Sequence, residues 1–170
     1  MNGRNKWYHS LALLFLVIEA KGQAKPSIAV LDKEYGLLGA HFEGDTTTLE
    51  GLQFQYASWL HQRSYRRAHE VSSIGKASIK AVYYTFFEGR LQTIQIQTPG
   101  RPNTHTLLDY LQGHYGRGTK STGKGISYMW AGSRVYIVYT AKVGSGGETA
   151  VILSVPMSAA EDDAKAALSH

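Results

Sequence analysis

Residues 79–98 restrict the fold more than any other part of the chain, because they predict two β-strands joined by a tight turn. Residues 79–87 (IKAVYYTFF) are dense in β-branched and aromatic side chains, which favour strands. Residues 91–98 (LQTIQIQT) alternate isoleucine with threonine and glutamine, so one face is apolar and the other is polar. Glu88 and Gly89 form the turn between them, since glycine tolerates a positive φ. The segment therefore predicts an antiparallel hairpin with one buried face.

The residues that follow predict one principal helix and three more strands. Asn103 or Thr104 is expected to cap the helix, and Gly116 is expected to end it. The apolar side chains of this helix form one stripe, made of Leu107, Leu108, Leu111 and Tyr115. The expected strands, joined by glycine- and serine-rich hairpin loops, cover residues 126–131, 134–141 and 148–155.

The complete order predicts an α+β fold, in which a mainly antiparallel sheet carries one principal helix. Written along the chain, the order is roughly β-(α)-β-β-β-α-β-β-β, followed by a short C-terminal helix. Ser158 and Glu161 have the spacing of a capping box, which indicates the start of that last helix. The expected domain boundaries are residues 25–35 for a linker, 36–157 for a single domain and 158–170 for the C-terminal helix or tail. Within the domain, the first strand is expected over residues 36–42, and residues 45–48 are expected to cap a short helix.

Residues 52–67 fit two structures. Their apolar side chains fall on one face of a helix, yet Phe54 and Tyr56 alternate as in a strand. We favour two strands with a turn near Ala57-Ser58, and the helix stays open as the alternative.

Residues 1–24 have the three parts of a secretory signal peptide. A basic start precedes an uncharged apolar run over residues 11–18, and small residues lead to a cleavage site between Ala24 and Lys25. A retained membrane anchor is the alternative, but a span needs about 20 apolar residues and this run ends sooner. The chain has no cysteine, and therefore no disulfide and no lipid-attachment site. We expect a secreted or periplasmic bacterial protein.

The net charge limits the class of partner. The whole chain carries +5, and the leader supplies two of those charges, so +3 remains after residue 24. A small excess of this kind suits solubility and attraction to anionic envelope polymers. A nucleic-acid-binding protein would present a denser basic face, so no nucleic-acid partner is expected.

Two motifs suggest phosphate or metal binding, but their neighbouring residues and spacing do not support either. Residues 118–124 (GTKSTGK) match seven positions of a phosphate-binding loop, but Gly125 stands where Mg²⁺ needs Ser or Thr. The loop also leaves a helix and enters a strand, the reverse of the required order. The histidines lack the spacing of two metal ligands on adjacent helical turns, so we expect no metal and no cofactor. The basic residues of the loop remain candidates for contact with an anionic polymer: Arg117, Lys120 and Lys124.

A basic-aromatic cluster supplies the other candidate binding residues, which are Trp59, Arg63, Tyr65, Arg66 and Arg67. Exposed aromatic and arginine side chains anchor protein partners, and aromatic rings also stack on sugars. A solvated strand edge guarded by charge explains the same pattern. No set of catalytic residues is recognised. We therefore predict a non-catalytic binding module for a protein or an envelope polymer, with an envelope hydrolase or a purely structural envelope protein as alternatives.

Three short motifs resemble those of uncharacterised secreted bacterial domains. A Phe-x-x-Gly-x-Leu hairpin begins at Phe86, a Tyr-Gly helix end lies at Tyr115-Gly116, and a Trp-x-Gly turn begins at Trp130. The likeness covers residues 36–155 and implies an envelope domain built from a sheet and a helix, with no catalytic residues to transfer. The order of hairpins and helix is also similar to small envelope-assembly and enzyme-inhibitor domains.

We expect the exported protein to begin at Lys25, because the signal peptide is removed after Ala24. N-terminal sequencing and the intact mass of the protein recovered outside the cytoplasm measure the cleavage position. Uncut chain dissolved in the cytosol would contradict this expectation.

Overall fold

The computed structural model describes residues 27–58, 60–100, 103, 105–122, 125–141 and 148–168. The helices are α1 (Ile28–Glu34), α2 (Thr106–Tyr115) and α3 (Val155–Ala167), and a 3₁₀ turn covers Thr46–Thr48. The strands are β1 (Gly36–Leu37), β2 (Ala40–His41), β3 (Leu52–Ala57), β4 (Gln62–Arg67), β5 (Ser73–Ile74), β6 (Ala77–Ser78), β7 (Ala81–Phe87), β8 (Arg90–Gln97), β9 (Thr119–Lys120), β10 (Ile126–Ala131), β11 (Val135–Ala141) and β12 (Glu148–Ser154).

Eight of these strands form one sheet in the order β3-β4-β7-β8-β12-β11-β10-β9. Every neighbouring pair is antiparallel. The predicted β7–β8 hairpin is confirmed near the centre of the sheet, and its turn has positive φ at Glu88 (48°) and Gly89 (81°). The α+β class and the mainly antiparallel sheet are therefore confirmed.

One face of the sheet carries the hydrophobic core. Helices α1 and α2 pack on this face, because their apolar stripes match the inward-facing side chains of the strands. The opposite face presents the threonines and glutamines of β7 and β8, and α3 packs over one end of it. There the Gln92 side-chain amide donates to Glu161 Oε2 (2.6 Å). Fully buried core side chains include Leu31, Tyr84, Phe86, Leu91, Ile94, Ile96, Leu107, Leu111, Ile137, Tyr139 and Ile152.

Asp32 joins α1 to the β10–β11 turn. Its Oδ1 accepts hydrogen bonds from the backbone nitrogens of Arg134 (2.9 Å) and Val135 (2.8 Å). Its Oδ2 accepts from the backbone nitrogen (2.7 Å) and the hydroxyl (2.9 Å) of Ser133. Burial acts to raise the pKa of Asp32, but these hydrogen bonds together outweigh it and lower the pKa. A Cβ at Gly132 would overlap the carboxylate, so a larger residue there would displace Asp32 from the turn.

Tyr35 and Ser154 join α1 to α3. The Tyr35 hydroxyl donates to Glu43 Oε1 (2.5 Å) and lies 2.6 Å from Ser154 Oγ. Ser154 Oγ also accepts from the backbone nitrogen of Met157 (3.3 Å), and so caps α3. The Arg134 guanidinium lies 3.4 Å from the centre of the Tyr35 ring. One buried hydroxyl therefore fixes the start of α3 against α1.

Two boundary predictions in the N-terminal part are wrong. The expected linker over residues 25–35 contains α1, which Ser27 caps by accepting a hydrogen bond from the nitrogen of Ala29. The expected strand over residues 36–42 is the short β1–β2 hairpin, because Leu38 (φ 55°) and Gly39 (φ 73°) reverse the chain in its middle. The short helix expected after Asp45 is present as the 3₁₀ turn.

Corrections also apply to the helices. Ser154 caps α3 instead of Ser158, so the helix begins before the predicted capping box. His105 is the N-cap residue of α2; Asn103 instead donates to the carbonyl oxygen of Pro99, and Thr104 lies outside the described residues. The single principal helix and the expected element order are not confirmed, since the described residues contain three helices. The strands expected after residue 125 are present as β10, β11 and β12.

Asp32→Ala is expected to lower the free energy of unfolding by about 1–3 kcal/mol, because four hydrogen bonds to a charged acceptor are lost. The folded-state pKa of Asp32 is below its unfolded value of 3.8. This contribution is therefore full above about pH 4 and disappears as the pH falls through the folded pKa. Urea unfolding at pH 7 and pH 3 measures it, with Asp163→Ala in α3 as the control. An equal loss at both pH values would contradict the assignment.

Candidate functional site

Strand β4 brings three of the predicted binding residues to one face of the sheet. Its register pairs Arg63 with Phe86 and Tyr65 with Tyr84, so both side chains lie on the core side, and Arg67 follows on that side. The side chains of these residues, Arg63, Tyr65 and Arg67, are here called the β4 row. Residues 52–67 are thus two strands, which confirms the favoured alternative, although β4 is the second strand from the edge.

An aromatic ladder runs through the β4 row from the sheet edge to the core. Phe54 on β3 contacts Tyr65 edge-on at 5.8 Å between ring centres, and Tyr65 contacts Phe86 edge-on at 5.5 Å. Phe86 is 1% exposed, whereas Phe54 is 58% exposed. Tyr56, beyond a β-bulge in the same strand, is also exposed. The outer end of the ladder is therefore a large apolar ring in solvent, fixed from below by buried rings.

Two cavities lie along the β4 row. The first, about 410 Å³, is lined by Arg63, Tyr65, Phe86 and His61 among others, and is here called the Arg63 cavity. The second, about 440 Å³, is lined by Arg67 and His69 together with the loops around residues 39 and 48–51, and is here called the Arg67 cavity. Each cavity thus contains one arginine and one histidine.

The arginines of β4 have no carboxylate partner in the part of the chain that the structure describes. The ion pairs found there join Lys165 to Glu161 (2.7 Å) and to Asp162 (3.6 Å), both within α3. The positive charges of Arg63 and Arg67 therefore remain available at the end of the sheet that carries β3 and β4.

The structure does not bring all the predicted binding residues together. Arg66 lies on the opposite face of the sheet, where its guanidinium is 5.7 Å from the centre of the Tyr83 ring. Lys120 is on β9, six strands away from β4, or roughly 29 Å at the usual strand spacing. Arg117 precedes β9 and is exposed. Trp59, Lys124 and the predicted cleavage site at Ala24 and Lys25 lie outside the described residues.

The carboxylates with described partners are used in hydrogen bonds that hold the fold. Asp32 binds the β10–β11 turn, Glu43 accepts from Tyr35, and Glu70 Oε2 accepts from the Tyr84 hydroxyl (2.7 Å). Among the described residues, no group of three histidine, aspartate or glutamate side chains is placed to hold a metal ion. No helix in the same residues is long and apolar enough to span a bilayer.

Sequence reasoning missed Phe54 and Tyr56 as candidate binding residues. Their alternation by itself indicates only a strand. An uncharged segment rich in aromatic residues, next to an arginine-rich strand, is the signal that could have identified them.

No protein-family model, curated protein or solved structure matches this chain. The resemblance to secreted bacterial domains therefore remains a prediction from the sequence motifs.

We expect Phe54→Ser to change the free energy of unfolding by no more than about 1 kcal/mol, because the ring contributes one aromatic contact and little burial. Phe86→Ala removes a fully buried ring and should cost about 3–5 kcal/mol. Chemical denaturation of both variants measures the difference. Equal losses would mean that Phe54 serves packing and is not free for a partner.

Proposed function

We propose that this protein is a secreted or periplasmic, non-catalytic binding module that contacts an anionic polymer of the cell envelope. The observation that carries the proposal is that the exposed Phe54 ring contacts Tyr65, which lines a cavity with Arg63, and that Arg63 has no ion-pair partner among the described residues. Aromatic and arginine side chains dominate the binding energy of protein interfaces, and aromatic rings provide flat apolar faces for other ligands. The signal peptide predicted over residues 1–24 supports an envelope location.

The charge of the site favours an anionic partner. Arg63 and His61 line the same cavity, in which Glu88 is the acidic side chain and is exposed to solvent. Arg63 is exposed as well, and it forms no ion pair with Glu88, so its guanidinium can bind an anionic group directly. A protein partner with an acidic surface would meet the same residues, and the experiment below separates it from a polymer.

Phe54→Ser combined with Arg63→Gln should abolish capture of the envelope polymer, because it removes both the exposed ring and the charge. The measurement is retention of protease-treated envelope extract by the immobilised protein. Tyr83→Ser combined with Arg66→Gln is the matched control, since it removes an aromatic-basic pair from the opposite face of the sheet. Retention should also fall as salt is raised, because the attraction is electrostatic.

The two variants give different results if the site is correctly placed. Loss of retention in the first variant and full retention in the control supports the proposal. Equal retention in both variants would place the binding surface elsewhere. Retention that disappears when the extract is treated with protease would identify a protein as the partner.

A further inference from the structure

Arg67 is held in a fixed position next to its cavity. Its Nη1 donates to the carbonyl oxygen of Leu38 (3.0 Å), and its guanidinium carbon lies 4.9 Å from the centre of the Tyr84 ring. Tyr84 is fully buried, and its hydroxyl donates to Glu70 Oε2 (2.7 Å). These contacts orient the guanidinium before a ligand arrives, which reduces the conformational entropy lost on binding.

Glu70 forms no ion pair with Arg67, although both residues contact Tyr84. Glu70 Oε1 accepts from the backbone nitrogen of Val71 (3.0 Å), and Oε2 accepts from Tyr84. Both oxygens are therefore bonded to neutral donors. Burial, followed by the hydrogen bond to Glu70, raises the pKa of Tyr84 far above its usual range, so the hydroxyl keeps the proton that it donates. The Arg67 guanidinium therefore has no direct carboxylate partner among the described residues.

The guanidinium of Arg67 also has an unused donor. Its Nε is buried and has no hydrogen-bond partner among the described residues. Buried donors without a partner are uncommon in folded proteins, and each one calls for a specific explanation. Nε and one terminal nitrogen of arginine form the edge that binds the two oxygens of a carboxylate or phosphate.

The Arg67 cavity offers space and one further donor, the His69 ring, for such a group. Its volume is about 440 Å³, and His69 and Thr48 line it along with Arg67. Glu50 also lines the cavity as an exposed side chain, and it forms no ion pair with Arg67. The Arg67 cavity therefore combines a positive charge, hydrogen-bond donors and space for a small anion.

We propose that the Arg67 cavity is a binding site for an oxyanion, either a carboxylate or a phosphate group. Arg67 is its principal ligand, and His69 supplies an additional donor. The site is separate from the surface formed by Phe54 and Arg63. A failure of either proposal therefore does not decide the other.

Titration of the purified ¹⁵N-labelled protein with inorganic phosphate and, separately, with acetate tests the site by NMR. A saturable shift of the Arg67 Nε–Hε signal and of the Gly39 and Gly51 amide signals is expected with at least one of the two anions. Arg67→Gln should weaken the apparent affinity about tenfold to a hundredfold, because charge-assisted hydrogen bonds are lost. Arg66→Gln, on the other face of the same strand, should leave the affinity unchanged.

The outcomes separate the site from a general effect of charge. Saturation with phosphate alone identifies phosphate groups as the natural ligand class, and saturation with acetate alone identifies carboxylates. Shifts that never saturate, or an equal loss of affinity in both arginine variants, would overturn the proposal. If Arg67→Gln does not fold, Arg67→Lys keeps the charge without the planar edge and should still weaken binding. In that case, unchanged affinity in Arg67→Lys would overturn the site as described.

Discussion

The candidate site depends on the packing of the central β7–β8 hairpin. Its inward-facing side chains are fully buried against the helices, and two of them also support the β4 row from below. Phe86 holds Tyr65 edge-on, and Tyr84 lies under the guanidinium of Arg67. Because a close-packed core fixes the positions of these rings, it also fixes the side chains that rest on them. The core therefore holds the side chains of the β4 row in place, although they remain accessible from outside.

The edge strand β3 indicates how a partner is contacted. It contains no charged residue, yet it has a β-bulge between Phe54 and Tyr56, and the Gln55 side-chain amide donates to the carbonyl oxygens of Gln53 and Phe54. Bulges and occupied edge carbonyls both discourage the addition of another strand. The same strand presents two large rings to solvent. This combination favours contact through side chains over backbone pairing, and agrees with a ligand that is not a peptide strand.

The sequence was sufficient for elements whose signals are local. The β7–β8 hairpin follows from the alternation in residues 91–98 and from Gly89, and both features act within a few residues. Some of the failures came where a distant group contributes to the structure. Asp32 stabilises α1 by binding a turn about 100 residues later in the chain, and Ser154 was preferred to Ser158 because it also meets Tyr35. The residue pattern around Asp32 or Ser154 gives no sign of these long-range contacts.

The same distinction explains the partial success with the binding residues. Strand alternation places Arg63 and Arg67 on one face and Arg66 on the other, and this follows directly once the segment is known to be a strand. Whether a charge is neutralised depends on tertiary partners, and here the acidic residues Glu161 and Asp162 pair within α3, on the opposite side of the sheet. A net charge of only +3 over residues 25–170 therefore coexists with two arginines, at one end of the sheet, that have no ion-pair partner among the described residues. The local field, and not the total charge, determines which ligands that end attracts.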